Sequence, residues 1–162
     1  MDDRAKHERC VDEWLARQPR GDSEVAVEQF NEASAALWEC SSETLGDVTV
    51  AAIAERVLLV STERFPVLAP LAVLPSRGIQ APEDLVSEDT RSEQRLAAGL
   101  RFVLIETLSV LGNLTGGILN QELHATFDPP RVRTPRSDGA GKRRRKPGAK
   151  RTAANKKSRR RS

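Results

Sequence analysis

After Phe127 this sequence has almost nothing left to bury, and that boundary limits what the chain can fold into. Both tryptophans (Trp14, Trp38) and all four phenylalanines (Phe30, Phe65, Phe102, Phe127) fall within the first 127 residues, while the remainder offers only Val132 and a few alanines. Fixing one residue's backbone costs about 1–2 kcal/mol, so a segment without apolar surface to remove from water does not fold alone. The reading is one domain over residues 1–127 and a disordered tail over residues 128–162.

Charge divides at the same place. The formal net charge of +3 conceals fifteen Lys and Arg beyond Phe127 against only Asp128 and Asp138, a net of +13. The first 127 residues hold eleven basic and twenty-one acidic side chains, a net of −10. Twelve of the tail cations stand in clusters: Lys142, Arg143, Arg144, Arg145 and Lys146, then Lys150 and Arg151, Lys156 and Lys157, and Arg159, Arg160 and Arg161. Pro, Gly, Ala, Ser, Thr and Asn separate them, which keeps such a chain extended. A polycation on a nucleic acid gains free energy by releasing condensed counterions, whatever the base sequence. No aromatic residue is interleaved to stack on bases, so backbone contact without base readout is expected, on DNA or RNA. In composition the tail is similar to those of linker-histone-like and nucleoid proteins. The same clusters also fit a bipartite nuclear-import signal, or an anionic lipid surface.

The first 127 residues read as helical. Residues 3–18 place Cys10, Val11, Trp14 and Leu15 on one side, and Pro19 to Ser23 form a turn in which Asp22 or Ser23 caps the next helix. Over about 24–41, Ala26, Phe30, Ala33, Leu37 and Cys40 recur at steps of three and four, opposite an unpaired acidic face of Glu28, Glu32 and Glu39. Gly46-Asp47 opens a helix over about 48–65 with Val50, Ile53, Ala54, Val57 and Ser61 inward. Pro66 starts a short helix through Leu74, and residues 76–82 read as loop. The expected fold class is therefore all-α, a compact bundle of four to five helices.

Thr90-Arg91-Ser92-Glu93 has the form of a capping box and opens the longest apolar stretch, Leu96 to Leu123. Leu96, Leu100, Val103, Leu104, Leu111, Leu114 and Ile118 share a broad face, and Gly112, Gly116 and Gly117 predict a break near 112–117. A membrane span is disfavoured, because Arg101 and Glu106 lie five residues apart and cannot neutralise each other along one helix. Across the helix runs a small and polar stripe, Ser109, Asn113, Gly116 and Asn120, a candidate face for a homodimer or a protein partner.

Reaction chemistry is poorly provided for. The chain has two histidines, His7 and His124, and two cysteines, Cys10 and Cys40, without the short ligand spacings of zinc or the paired Glu-x-x-His of a di-iron bundle, so no metal or cofactor is expected. His7 is read as solvated in a charged helix, His124 as a helix-terminal charge, and the cysteines as small buried hydrophobes. Glu106 is the one carboxylate expected in an apolar setting, and it has no partner base, so an enzyme or ligand site near it is the weaker alternative. Met1-Asp2-Asp3-Arg4 lacks the apolar run of a signal peptide, which predicts a cytoplasmic, nucleoid-associated protein, or a nuclear one in a eukaryote. The sequence thus points to a non-enzymatic, nucleic-acid-associated protein, or to an adaptor whose tail serves only for localisation.

Overall fold

Asp2 and Asp22 each stand just ahead of a helix and accept a hydrogen bond from a free amide of its first turn, from Arg4 and Val25 respectively. Amides at a helix start have no carbonyl four residues back, and a carboxylate there also meets the positive end of the helix dipole. In this computed structural model, which describes residues 2–85 and 89–128, these caps open α1 (Asp3–Arg17) and α2 (Ser23–Leu45). Then come α3 (Asp47–Arg64), a 3-10 turn (Pro66–Leu68), a hairpin of β1 (Ala72–Leu74) and β2 (Gly78–Gln80), α4 (Thr90–Leu114) and α5 (Asn120–Ala125). The fold is all-α with one minor hairpin. All described residues fall within one unit, Met1–Arg131. The segment 129–162, with every one of the twelve clustered cations, lies outside the described residues.

Helix α4 is the axis of the bundle, and α1, α2 and α3 all pack against it. Leu96, Leu100, Val103, Leu104, Ile105, Leu108 and Leu111 are buried along it. By length and composition α4 can cross a membrane, and half of its most apolar window is covered by the rest of the fold. In α3 the buried set is Val50, Ile53, Ala54, Val57 and Ser61, the stripe expected from the sequence. Gly46, at φ +79°, joins α2 to α3 through a single residue.

Several expectations need correction. Helix α2 runs to Leu45 because Ser41 and Ser42 turn their hydroxyls back onto the carbonyls of Leu37 and Glu39 and so do not interrupt it. The α4 cap is Asp89, which accepts from the Ser92 amide at 2.7 Å, and Thr90 is already helical. The short helix starts at Pro66 as expected but is a 3-10 turn ending at Leu68, and a hairpin takes the place of its remainder and of the loop, with Val73 opposite Ile79. It is held by docking: the Asn31 amide of α2 donates to the Ala81 carbonyl at 2.9 Å and accepts from the Ala81 amide at 2.7 Å. Gly78, at φ +74°, lies so close to α2 that a Cβ would stand 3.1 Å from the Ser34 carbonyl oxygen.

The break in the long apolar stretch is a helix stop. Gly116, at φ +60°, lets its own amide reach Asn113 O at 3.3 Å and the Gly117 amide reach Gly112 O at 2.8 Å, so the last carbonyls of α4 are satisfied. Leu114, in the last turn of α4, and Ile118, past the stop, face outward, 61% and 81% exposed, and leave the broad apolar face assigned to them from the sequence.

Candidate functional site

Two surfaces are candidates for function, the stripe on α4 and the acidic side of α2, and the first departs from a simple helical wheel. The helix stop divides the stripe. Ser109 is buried and donates to the Ile105 carbonyl at 2.8 Å within its own helix. Asn113 and Gly116 are exposed, while Asn120, half-buried, turns its side chain back toward Gly112. The four residues do not share one continuous helix face.

On α2, Glu28, Glu32 and Glu39 are exposed as the periodicity predicts. With Glu24 and Glu83, the first two line an open groove of about 660 Å³ beside the hairpin, where Arg77 is the one cation among the described residues. This side of the domain repels a phosphate backbone.

Glu106 is not an isolated buried acid. Its carboxylate accepts a hydrogen bond from Arg4 Nη1 at 2.9 Å and its side chain stays 22% exposed. Arg101 forms a fork with Asp12, Nε to Oδ1 at 2.6 Å and Nη2 to Oδ2 at 2.8 Å. That bond holds the Asp12 carboxyl below its usual range and raises the guanidinium. The two charges that disfavour a membrane span are thus each answered from α1.

The structure also assembles a cluster that the sequence reading misses. His7 is buried, and its Nδ1 lies 2.8 Å from His124 Nε2, with the rings edge to face. Beside them α4 presents the bare Cα of Gly112: a Cβ there would stand 3.2 Å from His7 Nε2 and 2.5 Å from Asn120 Oδ1. Asn120 Oδ1 is itself buried without a hydrogen-bond partner. Burial above all pushes both imidazoles below their ordinary value, helped at His7 by His124 and at His124 by Lys6. Cys10 sits near the His124 carbonyl, and burial pushes its thiol up to about 11. Both cysteines are free and half-buried. Among the described residues no three His, Cys, Asp or Glu side chains come together as metal ligands. The sequence carries one signal for this cluster: His7 lies one turn before Val11 and two before Trp14, on the apolar face of α1.

The cluster ties the chain's two ends of the fold together. Trp14 meets Phe127 edge to face at 5.3 Å, and Arg17 donates to the Phe127 carbonyl at 2.9 Å. Comparison with protein-family models, with curated proteins and with solved structures returns no match to this chain.

Proposed function

We propose that this chain is a non-enzymatic nucleic-acid-associated protein, whose helical part is an interaction or dimerisation module and whose Lys/Arg segment grips phosphate backbones without sequence preference. One observation carries the reading: residues 128–162 hold a net +13 and the first 127 a net −10. An acidic bundle, with an exposed row of glutamates on α2, repels a polyanion. Attraction therefore has to come from the basic segment, through counterion release at each phosphate neutralised. For the module, the supporting feature is the outward pair Leu114 and Ile118 beside exposed Asn113 and Gly116. Two basic segments on one dimer raise the effective concentration of the second on the same polyanion.

The test compares the full chain with residues 1–127 on mixed-sequence duplex DNA and on RNA at low salt. The full chain retains both, and the truncated chain retains neither. Equal retention by the two removes the reading. Loss of cellular position with no change in polyanion binding favours a localisation signal instead.

A further inference from the structure

We propose that the buried His7–His124 hydrogen bond is an acid-released clamp, holding α5 and Phe127 on α1 at neutral pH and letting them go when both imidazoles are protonated. His7 Nδ1 and His124 Nε2 face each other at 2.8 Å, so one donates and the other accepts, and the contact has room for one proton. A first added proton is tolerated, since an imidazolium still donates to a neutral imidazole. A second sets N–H against N–H inside the fold.

The surroundings offset that second charge only in part. On α1, Asp3 favours positive charge at His7 but is bound to Lys6 at 2.7 Å, and Lys6 and Arg4 both oppose that charge. Cys10, also on α1, keeps its thiol protonated. From α4 comes uncharged Gly112, with Glu106 on that helix held by Arg4. From α5, Asn120 offers a neutral amide oxygen and Glu122 acts on Cys40 of α2. Past α5, Asp128 favours positive charge at His124, as Asp3 does, and lies 3.9 Å from Arg17. Asp3 and Asp128 thus soften the charge at the two rings, and burial outweighs them at both.

The direction of the effect follows from burial, which holds both rings below the ordinary histidine value. The folded chain then binds fewer protons than the unfolded chain just below that value. The clamp's contribution is complete above about pH 6.5 and is lost as pH falls through the lower folded values. These are the two histidines of the whole sequence. Histidine is the side chain that ordinarily titrates between about pH 5 and 8, so the loss in that window is theirs.

The experiment uses the full chain. Histidine ring NMR is followed from about pH 7.5 to about 5.5, with urea unfolding and α5 amide exchange over the same range. The proposal expects two coupled ring titrations below the ordinary value, a several-fold fall in the folding equilibrium constant, and faster exchange of the Leu123 amide in the same range. His7→Gln and His124→Gln, which keep a hydrogen-bonding group without the titration, flatten the pH dependence. Independent titrations at ordinary values, with unchanged unfolding and α5 exchange, overturn the clamp. Should either Gln variant fail to fold, the wild-type ring titrations and α5 exchange decide.

Discussion

Gly112 and Gly116 are both glycines near the end of α4, and they are there for different physical reasons. At Gly112 the backbone is ordinary helix, and what forbids a side chain is the crowd: a Cβ would stand 2.5 Å from Asn120 Oδ1 and 3.2 Å from a His7 ring pinned from its other side by His124. Alanine there regains about 1 kcal/mol of helix propensity and loses more to overpacking, so Gly112→Ala is expected to cost a net of about 1–2 kcal/mol in urea unfolding. Gly116 has open space around it but sits at φ +60°. Gly116→Ala is expected to cost about 1–2 kcal/mol through the left-handed backbone alone, and Gly116→Asn restores most of it, because Asn adopts that region. Asn at 112 gives no such rescue. At Cys10 a thiol pushed up to about 11 predicts slower alkylation at neutral pH than an unperturbed thiol shows, followed by mass spectrometry. At this scale the sequence was partly legible. The α3 inward set could be read from spacing alone, whereas His7 looked solvated because its sequence neighbours Lys6 and Glu8 are charged. Its burial depends on α5, which the sequence places 117 residues away.

Among the elements, α4 shows where periodicity stops being a guide. Its stripe is buried up to Leu111, while Leu114 in the last helical turn and Ile118 past the stop face outward, so equal hydrophobicity no longer means equal burial. Leu108→Ala, at a fully buried position, is expected to cost about 2–5 kcal/mol. Leu114→Ala, at 61% exposure, should stay within about 0.5 kcal/mol by the same urea titration. The cap makes a second contrast: Asp89→Ala lowers the unfolding midpoint, and Thr90→Ala leaves it close to wild type, reversing what the capping-box pattern alone predicts. Helix starts and the break near 112–117 were legible because Asp, Gly and Pro act locally. The hairpin was not. Its strands are three residues each, too short for an alternating pattern, and it exists through Asn31, Ser34 and the buried Ile79, contacts that no local signal encodes.

For the molecule as a whole, the account depends on where the charge lies. Part of the bundle's positive charge is paired within it: Arg4 answers Glu106, Arg101 answers Asp12, Lys6 answers Asp3. Its α2 glutamates are left to face solvent. The proposed phosphate attraction belongs to the fifteen cations beyond Phe127, which outnumber the acids there by 13. That segregation was legible from the sequence because it needs only counting; the partner it serves is a proposal. The direct test is the association constant of the full chain on unrelated duplex sequences, measured over a salt series. The account predicts one steep line for all sequences, with a slope of about −0.9 for each phosphate neutralised, summed over several contacts. A slope near zero, or strong preference for one sequence at equal salt, contradicts it.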